Sequence, residues 1–204
     1  MSLEILETSF LKRKLCAAYF LASTHRVSGD KTLYLDRDGV IINDYGYVNT
    51  RSKTKFNDQI LNIMQECKNR RINLCVISNQ SGVARNLFTE AELIEYNAWL
   101  FNKLNNDYGI AIDSFWYCPS HPEGVTSNFR RICRCRKPEI EMFLAAEETQ
   151  NYDRYSSVFI GDSESDSIAA LSLGIPFFKY SPSGFERASE LLLHKWITEP
   201  HVTP

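Results

Sequence analysis

The sequence has no long apolar segment. Nowhere in its 204 residues does a run approach the ~20 apolar residues that a membrane-spanning helix needs, so we expect no membrane partner. The apolar run 15–22 follows basic residues 12–14 and resembles a leader peptide. However, Glu4 and Glu7 lie where a leader carries positive charge, and the apolar run is short. We therefore interpret residues 3–22 as an amphipathic helix and predict a cytoplasmic protein.

The chain also lacks a strong net charge. Its 23 Lys and Arg residues nearly balance 25 Asp and Glu residues, which leaves a net charge of −2 at pH 7. This balance argues against a protein-wide electrostatic attraction to nucleic acid, so we expect no nucleic-acid partner. A content of 44% hydrophobic and 24% charged residues is ordinary for a globular protein and argues against a wholly disordered chain.

Internal repeats and low-complexity tracts are missing, and no convincing secretion signal accompanies the six cysteines. We therefore expect no disulfide framework. At ~150 residues per domain, the length predicts one domain over residues 31–204, preceded by an appendage of unknown function over residues 1–30. We expect the protein to be a monomer.

From residue 31 onward, β-rich segments alternate with helical patterns. Strands are predicted at 31–36, 72–78, 114–119, 156–161 and 176–180, and helices at 59–70, 89–105, 138–148, 163–174 and 186–196. Pro138 is expected in the first turn of its helix, where a proline is tolerated. This alternation predicts an α/β fold with a mostly parallel sheet, and apolar strands such as LCVIS indicate a sheet covered on both faces.

Polar clusters follow three of the predicted strands at their carboxyl ends. They are DRDGV (36–40), NQSG (79–82) and GDSESD (161–166). In open α/β sheets, ligands bind outside the carboxyl ends of the strands. We therefore expect the three clusters to form one site at that edge of the sheet.

The acidic residues of these clusters predict a bound cation. Asp36 and Asp38 point the same way in an extended backbone, and Asp162 and Asp166 share one face of a helix. Crowded carboxylates need a counter-cation, and hard oxygen ligands favour Mg²⁺. Taken singly, the first motif could be an Asx turn and the last a capped helix start. Together with Ser78 and a lysine after a basic loop, they favour a catalytic site.

The motifs DRDGV, SNQSG, CRKP and GDSESD, in this order, resemble those of the haloacid dehalogenase superfamily of aspartyl phosphatases. The pair CPSHPEG and CRCRKP is similar to the branch that contains D-glycero-D-manno-heptose 1,7-bisphosphate phosphatase and histidinol phosphatase. The resemblance covers about residues 31–180 and implies a Rossmann-like three-layer sandwich. Only 39 residues separate Asp38 from Ser78, which leaves no room for a cap domain.

The resemblance also implies catalytic roles. Asp36 would be the nucleophile that attacks phosphorus, and Asp38 would be the general acid and base. Catalytic Mg²⁺ would be bound by Asp36, Asp162 and Asp38, the last through its backbone carbonyl. Ser78 and Lys137 would bind the oxygens of the transferring phosphoryl group.

Without a cap, substrate selection is expected to come from short loops, here DYGY (44–47) and residues 119–137. The residues expected to line the substrate pocket are Asp44, Tyr45, Gly46, Tyr47, Asn79, Gln80 and Ser81. Arg136 would hold a second anionic group of the substrate. One departure from the pattern is Ser163, which stands where many heptose enzymes carry a basic residue.

A second metal site is predicted in the loop that precedes Lys137. Cys118, His121, Cys133 and Cys135 form a Cys₃His set, which suits a tetrahedral structural zinc ion. The usual family pattern is Cys-x-His, and here that histidine position is occupied by a serine, with His121 one residue late. His121 could still complete the site, three thiolates and a water could hold the ion, or the site could have lost its metal.

The first hypothesis is therefore a Mg²⁺-dependent phosphatase that removes the 7-phosphate of a small phosphorylated sugar, D-glycero-D-manno-heptose 1,7-bisphosphate, in nucleotide-activated heptose biosynthesis. Histidinol-phosphate phosphatase and another small sugar-phosphate phosphatase are enzymatic alternatives. A receiver-like signalling domain is an alternative of another class, although receivers lack a carboxylate at the position of Asp38. A zinc-stabilised nucleic-acid-binding module is a third class, which the acidic edge of the sheet argues against.

Overall fold

The computed structural model describes residues 17–19 and 31–199, and a six-stranded sheet lies at its centre. The strands are β1 (Ala17–Tyr19), β2 (Thr32–Leu35), β3 (Asn73–Asn79), β4 (Ser114–Cys118), β5 (Ser157–Gly161) and β6 (Phe177–Lys179). The α-helices of the described residues are α1 (Asp58–Asn69), α2 (Glu90–Tyr108), α3 (Glu141–Gln150), α4 (Glu164–Leu173) and α5 (Arg187–Thr198). The strand order is β1-β4-β3-β2-β5-β6, with β2 to β6 parallel and β1 antiparallel to β4.

Alternate side chains of the strands β2 to β6 pack against helices on opposite faces of the sheet. Leu33 and Leu35 of β2 belong to a core cluster with α1, α2 and α5, whereas Tyr34 belongs to a cluster with α3 and α4. All four residues of β2 are buried, because helices cover both faces. The predicted α/β fold with a mostly parallel sheet between two helical layers is confirmed.

The position of β2 in the middle of the sheet brings the polar segments together. Leu35, the last residue of β2, pairs with Val76 of β3 and with Ile160 of β5. β3 continues to Asn79, so its last residues extend past the end of β2. The chain that leaves β2 at residue 36 therefore lies between the ends of its two neighbours.

The helix predicted over residues 3–22 is wrong at Ala17–Tyr19, which form the edge strand β1. Ala17 pairs with Tyr117, and Tyr19 pairs with Phe115 of β4. Without this strand, the outer edge of β4 would present unpaired backbone groups, and an added strand satisfies them. The remainder of the predicted helix lies outside the described residues.

The expectation that Pro138 occupies a helix first turn is also wrong, because α3 begins at Glu141. The Lys137–Pro138 peptide bond is cis. Residues 136–139 form a turn in which the Glu139 N–H donates to the Arg136 carbonyl at 2.9 Å. Helical structure starts only after this turn because Lys137 is held at the end of the sheet, as described below.

No inserted domain interrupts the described chain between Asp38 and Ser78, as expected for a protein without a cap. This segment consists of a loop with one 3-10 turn at Arg51–Lys53, then α1 and most of β3. Within residues 17–19 and 31–199, no helix combines the length and apolarity needed to cross a membrane.

Truncation of Leu100 should test the packing of α2 on the sheet. Leu100 is fully buried in the core, so Leu100→Ala should lower the free energy of unfolding by ~2–5 kcal/mol. Leu192 of α5 is 60% exposed, and Leu192→Ala should change it by less than ~0.5 kcal/mol. Urea denaturation of both variants measures the difference, and equal losses would contradict the described packing.

Candidate active site

An ion pair between Asp36 and Lys137 lies at the centre of the site. Asp36 follows β2, and its N–H donates to the Ile160 carbonyl of β5 at 3.0 Å. Lys137 Nζ lies 2.9 Å from Asp36 Oδ2 and 2.6 Å from Asp166 Oδ1. It also donates to the Ile77 carbonyl at 2.9 Å. These three acceptors match the three N–H donors of an ammonium group, so the position of Lys137 is fixed although only 2% of it is exposed.

Negative charge exceeds positive charge around this lysine. Burial raises the pKa of Asp36 to about 7 although Lys137 lowers it, and the neighbouring carboxylates add to the rise. Burial and the Asp166 carboxylate raise the pKa of Asp162 to about 6. Burial acts to lower the pKa of Lys137, but Asp36 and Asp166 outweigh it, so that pKa is raised and the ammonium form is retained.

One carboxylate oxygen from each of Asp36, Asp162 and Asp166 lies within 4.8 Å of the other two. Such a set of hard oxygen donors suits a divalent cation such as Mg²⁺. The raised pKa values of Asp36 and Asp162 indicate that a further positive charge would stabilise the ionised carboxylates. Gly39 allows this arrangement. Its φ is +80°, and a Cβ at this position would lie 1.9 Å from Asp162 Oδ2.

Both carboxylate oxygens of Asp166 have partners within the site. While its Oδ1 pairs with Lys137, its Oδ2 accepts from the N–H of Ser163 at 3.0 Å and from its hydroxyl at 2.6 Å. The same two residues form a capping box at the start of α4. The helix cap and the ion pair therefore fix one carboxylate between them, and the pKa of Asp166 is lowered although burial alone would raise it.

Asp38 lies outside the carboxylate cluster and has its own partners. Fully buried Arg37 donates to it from Nε and Nη2 at 2.9–3.2 Å, and Gln80 Nε2 donates to Asp38 Oδ2 at 2.8 Å. Arg37 also donates to Asn97 and to the Val48 carbonyl. The two aspartates of DRDGV thus have different environments. No sequence pattern predicts the burial of Arg37, because an arginine between two aspartates is typical of an exposed loop.

Ser78 and Asn79, at the end of β3, contact the site in different ways. Ser78 is 1% exposed, and its hydroxyl accepts from Gln80 Nε2 at 2.8 Å. Asn79 binds the backbone of Lys137 twice at 3.0 Å, since its amide donates to the carbonyl and accepts from the N–H. Asn79 therefore positions the lysine, a role that its expected place in the pocket wall did not suggest.

A cleft of about 400 Å³ opens above these groups. Of the residues predicted at the site, those that line it are Asp36, Asp38, Ser78, Asp162, Asp44, Gly46, Tyr47, Asn79, Gln80 and Ser81. Tyr45, Arg136 and Lys137 are not among its lining residues. Tyr45 is 60% exposed, and its hydroxyl accepts from Asn43.

Three of the four predicted zinc ligands come together. The sulfur atoms of Cys118, Cys133 and Cys135 lie within 4.8 Å of one another, and all three residues are buried. Hydrogen bonds within this group, first that of Cys118, hold the pKa of Cys133 well below its usual range. Three buried sulfur atoms in this arrangement fit three corners of a tetrahedral zinc site.

His121 does not join the three cysteines. Its Nδ1 accepts from the Glu123 N–H at 3.1 Å, and its two ring nitrogens lie 3.4–3.5 Å from Arg85 Nη2. Ser120, at the position expected for the family's histidine, is buried and accepts from Arg131 Nε at 3.1 Å. The turn at residues 121–123 therefore directs the imidazole toward arginine instead of sulfur.

Known proteins match this chain in sequence. Residues 134–201 match the HAD-hydrolase-like family model. The D-glycero-β-D-manno-heptose-1,7-bisphosphate 7-phosphatase of Escherichia coli K12 is 38% identical over 143 residues, which cover 70% of this chain and 74% of that protein. The protein of the same name from Haemophilus ducreyi is 34% identical over 147 residues, which cover 72% and 80%. This chain belongs to the haloacid dehalogenase-like hydrolases.

Solved structures of this family share the fold. A HAD-like phosphatase from Mesorhizobium loti aligns with a TM-score of 0.78 at 23% identity, covering 90% of this chain and 91% of that one. The D,D-heptose 1,7-bisphosphate phosphatase of B. bronchiseptica, solved with magnesium and phosphate, aligns with a TM-score of 0.67 at 24% identity, covering 81% and 99%. The predicted family is confirmed, and this haloacid dehalogenase-like hydrolase is a phosphoric monoester hydrolase.

Removal of the Asn79 amide should displace Lys137. Asn79→Ala loses both hydrogen bonds to the Lys137 backbone, so kcat for an aryl phosphate should fall ~10–100-fold while KM changes little. Steady-state kinetics measures this split. Asn102 is exposed on α2, and Asn102→Ala serves as the matched control with unchanged kcat. A wild-type kcat in Asn79→Ala would show that Lys137 is positioned without the amide.

Proposed function

We propose that this hydrolase removes the 7-phosphate of D-glycero-β-D-manno-heptose 1,7-bisphosphate, a step toward nucleotide-activated heptose. The observation that carries the proposal is the separation of two carboxylates in one cleft. Asp36 is paired with a lysine beside other carboxylates, and Asp38 is held by Arg37 and Gln80. Relatives that carry this name at 34–38% identity support the choice of substrate.

Asp36 acts as the nucleophile in the proposed reaction. Its carboxylate attacks phosphorus, the bond to the sugar oxygen breaks, and an aspartyl-phosphate forms. Asp38 gives a proton to the departing sugar oxygen, and then takes one from the water that hydrolyses the aspartyl-phosphate. Arg37 and Gln80 keep the Asp38 carboxyl group at the cleft for both proton transfers.

The transferring phosphoryl group carries negative charge that the site must stabilise. Ser78 lines the cleft and is placed to bind one of its oxygens, and the Lys137 N–H that faces Asp36 at 2.9 Å would turn to another oxygen when Asp36 attacks phosphorus. Asp36, Asp162 and the Asp38 carbonyl would hold Mg²⁺, which when bound neutralises charge on the phosphoryl group. This assignment leaves Asp166 as the residue that positions Lys137.

The substrate loop and the cysteine loop complete the proposal. Asp44, Gly46 and Tyr47 form an open wall for the sugar, Tyr45 is the exposed residue of the same loop, and Arg136 takes the second phosphate. Zinc held by Cys118, Cys133 and Cys135 would fix the loop that leads to Lys137. The expectations of a monomer, a cytoplasmic location and no nucleic-acid partner stay predictions.

Replacement of Asp36 tests the nucleophile. Asp36→Asn keeps the shape of the side chain but removes the attacking carboxylate, so phosphate release from heptose 1,7-bisphosphate should fall by about 10³-fold or more. Asp58 is exposed at the start of α1, and Asp58→Asn should retain wild-type activity. Undiminished activity in Asp36→Asn would refute the assignment, and faster wild-type turnover of histidinol phosphate would reverse the substrate choice.

Magnesium should stabilise the protein more at high pH than at low pH. Asp36 and Asp162 have folded-state pKa values of about 7 and about 6, above the ordinary value of 3.8. Without metal, their contribution to stability is fully present below pH 3.8 and is lost as the pH rises through those raised values. Because the cation replaces those protons, it offsets this loss.

The rise in Tm on addition of Mg²⁺ should therefore be larger at about pH 8 than at about pH 5. Thermal unfolding with and without the ion measures it. Asp162→Asn should reduce the effect at the higher pH, because one carboxylate ligand is missing. Equal increases at both pH values would contradict the proposed ligands.

A further inference from the structure

Asn97 is a buried polar residue in the middle of α2, on the face that packs into the core. Only 3% of it is exposed, so its amide needs partners within the protein. Both ends of the amide have one, since Nδ2 donates to the Leu93 carbonyl and Oδ1 accepts from Arg37 Nη1, each at 2.8 Å. The other buried residues of α2 are Leu93, Tyr96, Leu100, Phe101 and Leu104. Asn97 thus adds a specific link to Arg37 to a largely apolar face.

This link uses the guanidinium nitrogen of Arg37 that makes no bond to Asp38. Nε and Nη2 donate to the Asp38 carboxylate at 2.9–3.2 Å. Within residues 17–19 and 31–199, Asn97 Oδ1 is the acceptor found for Nη1. Because the guanidinium group is planar and rigid, an acceptor that fixes Nη1 also fixes the direction in which Nε and Nη2 point. Asn97 therefore helps to set the orientation of the Asp38 carboxylate.

Tyr96, the preceding residue of α2, restrains the same guanidinium group from one face. Arg37 Cζ lies 5.3 Å from the centroid of the Tyr96 ring, a distance typical of a cation–π contact. The Tyr96 hydroxyl is in turn 2.7 Å from Thr54 Oγ1. Arg37 is fully buried, so water does not compete for these contacts. Helix α2 therefore holds the guanidinium group both at one nitrogen and on one face.

Gln80 would transmit a shift of Arg37 to two residues of the cleft. Its Oε1 accepts from Arg37 Nη2 at 2.9 Å, and its Nε2 donates to Asp38 Oδ2 and to Ser78 Oγ, each at 2.8 Å. Asp38 and Ser78 both line the cleft, whereas Asn97 is not among its lining residues. Asn97 would therefore affect the chemistry through Arg37 and not by contact with the substrate.

We propose that Asn97 is a positioning residue that acts through Arg37 to direct Asp38 at the oxygen that leaves the substrate. This inference rests on the proposed function, in which Asp38 is the general acid, and deepens it. Asn97 belongs to none of the sequence motifs, because it lies 60 positions from Arg37 in an otherwise ordinary helix. Its effect should be largest where the leaving oxygen most needs a proton.

The test compares two substrates that differ in this need. The sugar oxygen of heptose 1,7-bisphosphate must be protonated as it leaves, whereas p-nitrophenyl phosphate releases an anion that is stable without a proton. Because kcat/KM is referred to free enzyme and substrate, it reports the attack on phosphorus and not the later activation of water. Asn97→Leu keeps the size of the side chain but removes the acceptor for Arg37. It should lower kcat/KM ~10–100-fold for the bisphosphate and less than about threefold for the aryl phosphate.

A second variant and two controls separate positioning from a general loss of stability. In Asn97→Ser, the hydroxyl can still donate to the Leu93 carbonyl but is too short to reach Arg37, so the same difference between substrates is expected. Asn102 is exposed on the same helix, and Asn102→Leu should keep both kcat/KM values. Leu100→Ala removes core packing from α2 and should leave the ratio of the two values unchanged.

Asp38→Asn shows whether the proposed function or this inference is at fault. It should give the same difference between substrates as the Asn97 variants, or a larger one. If it does, and both Asn97 variants keep the wild-type ratio, this inference fails alone. If Asp38→Asn lowers both kcat/KM values equally, or if wild type releases no phosphate from the bisphosphate, the proposed function fails and this inference fails with it.

Discussion

The buried ammonium group of Lys137 is the constraint on which the site depends. Only 2% of the residue is exposed, so protein acceptors must replace the water that would otherwise solvate its charge. Asp36 follows β2, Ile77 belongs to β3 and Asp166 lies in α4. The Lys137 ammonium group therefore links three parts of the fold. The carboxylates around it outnumber it, and the raised pKa values of Asp36 and Asp162 express that excess. The same imbalance makes the edge suited to a divalent cation.

Arg37 has the complementary effect on the neighbouring aspartate. Its guanidinium forms an ion pair with the Asp38 carboxylate, which lies outside the carboxylate cluster around Lys137. In the proposed mechanism, these identical side chains two residues apart have separate tasks: Asp36 attacks phosphorus and Asp38 transfers protons. The arrangement needs a buried arginine whose remaining donors are satisfied, which Asn97, Gln80 and the Val48 carbonyl provide.

The fold and the acidic edge could be predicted because they follow local rules. Apolar strands alternating with helices predict a parallel sheet, and the carboxyl ends of such strands meet at one edge. The burial of Arg37 and the hydrogen bonds of Asn79 to Lys137 depend on contacts between residues ~60 positions apart. Hydrophobic periodicity is a local pattern and does not predict such contacts. The strand at Ala17–Tyr19 was missed because an edge position on β4 overrode a helical pattern.

An uncapped site must draw its selectivity from the same loops that position its chemistry. The cysteine cluster ends at Cys135, two residues before Lys137, and Asn79 holds the Lys137 backbone from the opposite side. The backbone of the intervening residue, Arg136, therefore has little freedom to move. A metal bound by the cysteines would stabilise the positions of both Lys137 and the arginine beside it. Recognition of the second phosphate and catalysis at the first would then depend on one short segment.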